Sequence, residues 1–506
     1  MVASLLKTLT SGLQDYRIYD SNTFYPFLKM WKRTSRFTTR WERIDFANTP
    51  SFGTTGHIKL DVKGHLCTRL FFIATMPDIY TPQQTARGTV VSPNEFAGPC
   101  FGWTNSLGHA LIRSISISIG GEVIDTLDGV MLEVLDEFNT PLEKVTVVNR
   151  LIKRADSGFT ESTFGNSSNP TLVAVPIPFW FSRGNPLGAL PIDAIPYDDV
   201  IISITLREFN GLYYTDSRAT ALQSTSDTGG NLWPISGSGF YQSNPAGIAV
   251  PGLAYTGLVS LIPNVSMPST FNIGECYFMA EYIYLDSTEA SKMRTSNYQI
   301  PIVQHYAMPI YETQGLPKAS IPLHIPNPTR DIYWMAQRTD AYLYNAHFLA
   351  TRDISGITGS APWWPDASGL NATIPSFLRP AFALSDSEPV KAMSLMYEGS
   401  LVRFRTEAPA LYRSVLQSFE QKKSPWVNRY YYNYAFAINN RTAPFTNPLG
   451  EANLDKISNI NLILEFQPRR GSFNPNDVPS YFVFVFAETY NILKVYGGRA
   501  GIMFPY

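Results

Sequence analysis

Cysteine, charge and long apolar runs are all scarce in this 506-residue chain, and each shortage removes a class of explanation. The three cysteines, Cys67, Cys100 and Cys276, are odd in number, far apart and never in a Cys-x-x-Cys pair, so neither a disulfide framework nor a zinc site is expected. They read as reduced, buried thiols. Charged residues make up only 16%, against about 25% in ordinary globular chains, and they balance to a net −1, so bulk charge names no partner. No stretch approaches the 18 or so uninterrupted apolar residues of a membrane-spanning helix, and the best run, Phe482–Ala487, has the length and residue types of a strand. The N-terminus lacks a continuous apolar core and a small-residue cleavage site, so synthesis and retention in the cytosol are expected. Six histidines, His57, His65, His109, His305, His324 and His347, never form HxH, HxxH or HExxH, and each reads as structural or superficial. Phosphate-loop, dinucleotide and nucleophile-elbow motifs are absent too. No catalytic, cofactor-binding or metal-ligating residues are therefore assigned.

Aromatic residues are plentiful, at 13%, and 37 prolines and 34 glycines punctuate the chain. Apolar and polar residues alternate most plainly in Ile112–Ile119, where isoleucines face one side and serines the other, as a half-buried strand requires. Further strands are expected at His57–Val62, Val200–Leu206, Phe278–Leu285, Ile332–Met335, Leu401–Phe404, Ile460–Phe466 and Tyr481–Ala487. Strands in both halves with turn-rich connections indicate an all-β protein, and a chain this long is expected to hold two cores. Three short helices are expected: Asp125–Phe138 capped by Asp125 or Thr126, Ser287–Arg294 capped by Ser287 or Thr288, and Ala408–Phe419. The second of these lies between two strand-rich halves and marks the expected junction. Segments 214–247 and 350–389 read as long loops whose aromatics, among them Trp363 and Trp364, argue for a surface role.

Candidates for chemistry are few. The carboxylate pairs Asp198/Asp199 and Asp386/Glu388 are the types a glycosidase needs, but they read as a turn and a solvated loop. Trp363-Trp364 suits sugar stacking or insertion into a neighbouring copy, the latter being favoured. Residues 1–43 carry eight Lys/Arg against three acids, a local +5, and Lys29, Lys32, Arg33, Arg36 and Arg40 form its core. Such a stretch fits an acidic lipid surface, nucleic acid or an acidic partner, or simply a terminal strand and helix under the domain with solvated charges, the last being favoured. Four N-glycosylation sequons occur, at Asn166, Asn264, Asn371 and Asn440, a number near chance, and they are read as unused.

Several ordered segments together resemble the major capsid proteins of the nucleocytoplasmic large DNA viruses. They are Trp103–Ile112 leading into Ser114–Asp125, then Val175-Pro-Ile-Pro-Phe-Trp-Phe181 with Gly188-Ala-Leu-Pro191, and Tyr282-Ile-Tyr-Leu-Asp286 before a helix. In the second half they are Asn327–Trp334, Tyr432–Ala437, Asn447-Pro-Leu-Gly450 with Ile457–Leu462, and Tyr490–Val495 followed by Gly497, Gly498 and Gly501. The resemblance implies two consecutive eight-stranded jelly-roll barrels with a few short helices and long loops. It implies an N-terminal arm at 1–25, a first jelly roll at 26–286, a linker helix at 287–295 and a second jelly roll at 296–506. It further implies a non-catalytic homotrimer forming a pseudo-hexameric capsomer of an icosahedral shell, with neighbouring capsomers, penton and minor capsid proteins as partners and no specific nucleic-acid binding. The basic arm would face an internal viral membrane. The protein would reside in the virion after synthesis at assembly sites in the host cytoplasm. Two alternatives are a transient membrane-shaping scaffold of the same fold and a glycan-binding β-sandwich protein.

Overall fold

Alternation of buried and half-buried residues is matched residue for residue in two strands, Val200–Leu206 and Ile460–Phe466, one in each half of the chain. Each is a central strand of a four-stranded antiparallel sheet, which explains the pattern: one pleat face packs inward and the other looks outward. The computed structural model describes residues 36–77, 100–154, 171–183, 186–216, 232–233, 272–339, 345, 347–348, 350–352, 388–425, 429–438, 449–469 and 474–505.

Four larger sheets are present among the described residues. Sheet I runs Phe37–Asp45, Cys276–Leu285, Leu66–Met76, Thr171–Pro176, and sheet II runs Thr55–Lys59, Val200–Leu206, Ile112–Ile119, Glu122–Asp128. Sheet III is built on Tyr298–Ala307, Tyr481–Tyr496, Pro328–Arg338 and Tyr431–Ala435, with three shorter strands completing its seven. Sheet IV runs Lys318–Leu323, Ile460–Phe466, Val390–Tyr397, Leu401–Thr406, and a small three-stranded sheet joins Leu232–Trp233, Tyr213–Asp216 and Cys100–Trp103. The described pairings are antiparallel; some are hairpins, such as Ile112–Ile119 with Glu122–Asp128, and others join distant segments, with Phe37 opposite Leu285 in sheet I. Among the described residues no sheet mixes strands from the two sides of the helix Ser287–Thr295. The strands form separate sheets in each half, and no described pairing closes a continuous hydrogen-bonded barrel.

Packing between sheets is aromatic. Trp334 of sheet III stacks on Phe404 of sheet IV at 6.3 Å and on its own neighbour Tyr432 at 5.9 Å. Buried rings of this size dominate core energetics, and offset stacking adds to their area burial. In the first half Phe46 contacts Phe72 and Phe278 of sheet I and presses against Gly56 of sheet II, where an added Cβ would lie 2.9 Å from its ring. Cys67 and Cys276 are buried and unpaired, and burial pushes their thiols up to about 12 and about 11.

Sheet III breaks the alternation. Pro328–Arg338 is buried at every position but the first, and Tyr481–Tyr496 is almost continuously buried through Thr489. A strand covered on both faces reads as an apolar run, which is why Phe482–Ala487 stands out in the sequence. The cover on the second face comes from the other half of the chain.

The helices depart from expectation at their ends. Gly129–Asn139 starts four residues later than the helix expected from Asp125, because Glu122–Asp128 continues as a strand paired with Ile112–Ile119. Asp128 is the N-cap, accepting the Met131 amide at 2.6 Å. For Ser287–Thr295 the cap is Asp286, which accepts from the Ser287 amide and the Thr288 hydroxyl, rather than either of those two residues. The helix expected over 408–419 is a wide turn, Leu411–Val415, in which the Leu416 amide reaches the Leu411 carbonyl, followed by the single turn Gln417–Glu420. Gly129 sits where an added Cβ would lie 2.4 Å from the carbonyl oxygens of both His109 and Ile112. Backbone atoms cannot give way as a side chain can, so Gly129→Ala is expected to cost at least about 1–3 kcal/mol in denaturant unfolding. An unchanged midpoint would contradict this packing.

Candidate functional site

Three acids, Glu133, Asp136 and Glu137, interrupt an otherwise apolar helix at i, i+3 and i+4, a spacing that puts them on one face. They do not face water. Glu133 is fully buried, and its carboxylate accepts from five directions: Ser106 Oγ at 3.0 Å, Arg154 Nε at 3.0 Å and Nη2 at 2.5 Å, His109 Nδ1 at 2.6 Å and Arg429 Nη1 at 2.5 Å. Arg154, just beyond the helix Val145–Ile152, also binds Asp136. Glu137 receives Lys423 Nζ at 2.9 Å and Arg429 Nε at 3.2 Å. Burial alone would raise the Glu133 carboxyl, but the guanidiniums of Arg154 and Arg429, with His109, hold it well below the usual range. Burial likewise works against the charge on Arg154, and Glu133, Asp136 and Glu137 override it.

The significance lies in which half supplies each group. Glu133, Asp136, Glu137, Arg154 and His109 precede the helix Ser287–Thr295, whereas Lys423 and Arg429 follow it. Lys423 also donates its backbone amide to the Phe138 carbonyl at 3.2 Å.

A second ionic group crosses the same junction. Asp125 of sheet II accepts the His305 amide at 2.9 Å and lies 2.8 Å from His305 Nδ1. Arg183, in the turn after the Pro-Ile-Pro-Phe-Trp-Phe segment, reaches across to Glu488 Oε1 at 2.6 Å. Burial pushes the Glu488 carboxyl up, and Arg183, His305 and Arg330 pull it well below the usual range. Neutral contacts flank these ions. Gln304 Nε2 donates to the Ile124 carbonyl at 2.5 Å, Thr104 Oγ1 to the Asn345 carbonyl at 2.8 Å, and His347 Nε2 to the Gly211 carbonyl at 2.6 Å.

The strand Arg499–Ile502 is held by the first half. Asp198 accepts the Ala500 amide at 3.0 Å, Glu122 accepts the Ile502 amide at 3.4 Å, and the Tyr197 amide donates to the Gly498 carbonyl at 3.2 Å. Carboxylates thus cap the open edge of sheet III, which otherwise presents unpaired backbone groups. Asp198 is therefore a structural acceptor, and its neighbour Asp199 pairs with Lys59 on the surface. Chemically, the junction is dense ionic and hydrogen-bonded contact. It fixes one half against the other.

The residues singled out from sequence are placed elsewhere. Arg36 and Arg40 are exposed at the edge of sheet I, Arg40 pairing with Glu42 at 2.7 Å in the strand Phe37–Asp45. Lys29, Lys32 and Arg33 lie outside the described residues, as do Asn166, Asn264, Asn371, Asn440, Asp386, Trp363 and Trp364. Glu388 accepts from Tyr432 Oη at 3.0 Å and stands near Arg413. Among the described residues no three His, Cys, Asp or Glu side chains gather as a metal site would need.

Comparison with known proteins follows the same division. Residues 26–239 match the family model of the major capsid protein N-terminus, and residues 289–501 match that of the large eukaryotic DNA virus major capsid protein. The major capsid protein of Invertebrate iridescent virus 3 is 23% identical over 511 residues, which cover 97% of this chain and 94% of that one. Probable capsid protein 4 of Acanthamoeba polyphaga mimivirus is 23% identical over 221 residues, which cover 42% of this chain and 39% of that longer one. Among solved structures, the PBCV-1 virus capsid superposes with a TM-score of 0.65 at 15% identity, covering 95% of this chain and all of that one. The Faustovirus major capsid protein gives 0.62 at 12% identity, covering 97% and 96%. These likenesses establish a shared β-rich fold.

Proposed function

The chain belongs to the family of major capsid proteins of large eukaryotic DNA viruses, and from that premise we propose that it is the non-catalytic block from which an icosahedral shell is tiled. The observation that carries the reading is the junction. Two sheet pairs of similar plan are locked together by buried ions, so that one chain supplies two wedges at a fixed angle. Three such chains present six similar wedges, a pseudo-hexameric capsomer able to pack against its neighbours.

In this reading each half is an eight-stranded jelly roll, with an arm at 1–25, a first unit at 26–286, a linker helix at 287–295 and a second unit at 296–506. Partners are two further copies, neighbouring capsomers, and penton and minor capsid proteins. The basic residues from Lys29 to Arg40, the last of them in the first strand of sheet I, face an internal membrane. Assembly takes place in the host cytoplasm, and the protein ends in the virion. Low charge and abundant aromatics suit large permanent contacts, whose cores deplete charge and enrich Tyr, Trp and Phe. The sequons at Asn166, Asn264, Asn371 and Asn440 play no part in this reading.

Solution mass tests it. Three chains of 56.6 kDa give about 170 kDa by light scattering, with a hexagonal outline in negative stain. A folded monomer that stays monomeric at high concentration would remove the trimer and bring forward a glycan-binding role. A lattice-forming protein that is missing from purified virions would instead be a transient scaffold.

A further inference from the structure

The two halves repeat one strand order, and the repeat leaves one contact open. The four strands of sheet I follow one another as the four main strands of sheet III do, and sheet II matches sheet IV in the same way. In each half one connection leaves the edge strand of one sheet and ends in the edge strand of its companion. In the first half it joins Glu122–Asp128 to Thr171–Pro176 and carries the helix Gly129–Asn139. In the second half it joins Leu401–Thr406 to Tyr431–Ala435 and carries the turns Leu411–Val415 and Gln417–Glu420. The first connection is closed off at the junction. Its helix is buried along almost its whole length, and Phe138 meets Tyr333 of sheet III with ring centres 5.3 Å apart.

The second connection is inside out. Gln417 and Gln421 point inward, donating to the Asn433 carbonyl at 2.8 Å and to Asp331 Oδ1 at 3.1 Å, whereas Leu411, Val415, Leu416 and Phe419 are exposed, Phe419 at 74%. The outer faces of the sheets show where such a turn could rest. Sheet II turns Ser116, Ser203 and Thr205 outward, and sheet IV turns out Lys318, Glu465 and Arg405, as suits faces toward water. Sheet III is covered by the first half. Sheet I differs: Phe71, Ile73, Tyr277 and Met279 look outward and are half-buried, while Trp41 and Leu172 are exposed. Trp41 and Phe71 lie 5.7 Å apart, so the apolar groups adjoin. The cations of this face are held within it, Arg43 by Glu275 and Arg69 by Glu281. An apolar patch of this kind marks a contact surface.

We propose that the turn 411–420 of one copy seats on the outer face of sheet I of a second copy, repeating between chains the contact that the helix Gly129–Asn139 makes on sheet III within one. This contact rests on the shell-block reading above and supplies its surfaces. A second copy is the occupant because the chain already shows the fit: the matching connection, at the same place in the repeat, lies on the matching sheet. An anionic lipid or nucleic acid would have to draw Arg43 and Arg69 away from the acids that hold them. Turn and sheet are different surfaces of one molecule, so the contact is head to tail, and it closes into a ring when three chains alternate their six halves.

The test uses the purified full-length protein and two exposed positions, Phe419→Asp and Trp41→Asp. By light scattering each variant should fall from trimer to monomer at a concentration at least about tenfold above that of wild type. Leu316→Asp should not, since Leu316 is exposed beside Lys318–Leu323, at the edge of sheet IV opposite Leu401–Thr406. Mixed where each alone is monomeric, the two variants retain one intact turn and one intact sheet between them and should form a dimer of two 56.6 kDa chains. Variants that stay trimeric beside a trimeric wild type overturn this contact and leave the shell-block reading standing, whereas a monomeric wild type overturns both. A variant that dimerises alone through its remaining surface overturns the head-to-tail pairing. Should a variant fail to fold, hydroxyl-radical labelling of the wild-type trimer decides. After correction for intrinsic reactivity, Trp41 and Phe419 should be protected relative to Tyr197, which is exposed and outside both surfaces, and equal labelling overturns the proposal.

Discussion

Replacing Arg429 by leucine is expected to lower the unfolding free energy by about 3–5 kcal/mol, the cost of removing one partner from a buried ion pair. The reason is what it leaves behind. Arg429 bonds Glu133 through Nη1 and Glu137 through Nε, and both carboxylates are buried. Arg154 and Lys423 would still face them, but one positive charge would be gone from a site that water does not reach. Arg429→Lys should fall between wild type and leucine, because an ammonium is a single point that does not span both carboxylates as a planar fork does. Lys318→Ala provides the contrast: its pair with Glu465 is solvent-exposed, and about 0–1 kcal/mol is expected there. Denaturant melts of the three variants decide the matter. A leucine variant no less stable than the Lys318 one would mean that the junction ions contribute nothing net.

Residues 296–506 produced alone are expected to be insoluble, and to become soluble when residues 26–286 are produced alongside. Sheet III explains this. Pro328–Arg338 and Tyr481–Thr489 are buried on both faces, so removing the first half uncovers Tyr333, Phe484 and Phe486 on one side, together with Glu488, His305 and Asp331. Apolar burial stabilises by about 25 cal/mol per Å², and several strand residues uncovered together outweigh the few kcal/mol of net stability that domains ordinarily have. Solubility assays of the single and paired fragments, followed by co-purification, give the answer. A soluble, cooperatively melting 296–506 fragment would show that the junction is a contact between independent units.

Much of the sheet structure was legible because local alternation reports it. Ile112–Ile119, Val200–Leu206 and Ile460–Phe466 end where the pattern ends. The start of the helix at Gly129 was not legible, because Asp125, Thr126 and Asp128 are all good caps. The choice among them depends on pairing with Ile112–Ile119, which a local window does not contain. The site was legible only in part. Three acids on one face of an apolar helix are a signal that they are paired. Their partners Lys423 and Arg429 are more than 280 residues away, and nothing near either residue marks it as the counter-ion. The same holds for Arg183, Glu488 and His305. Nucleus-forming strand patterns are local properties, whereas charge pairing across the junction is a property of the assembled fold.

The clasp formed by Asp198 and Glu122 on the strand Arg499–Ile502 has a consequence for biosynthesis. About 210 residues separate Leu285, where sheet I is complete, from Arg499, and at about 5–20 residues per second the ribosome takes roughly 10–45 s to make them. Until Lys423 and Arg429 have been made, the nascent first half presents its acid-studded helix, and the flank that Arg499–Ile502 covers stays open until the end of the interval. Every polypeptide therefore passes through an adhesive stage during translation. The nearer the polysomes lie to one another, the greater the pressure for a holdase to shield that flank until the clasp arrives.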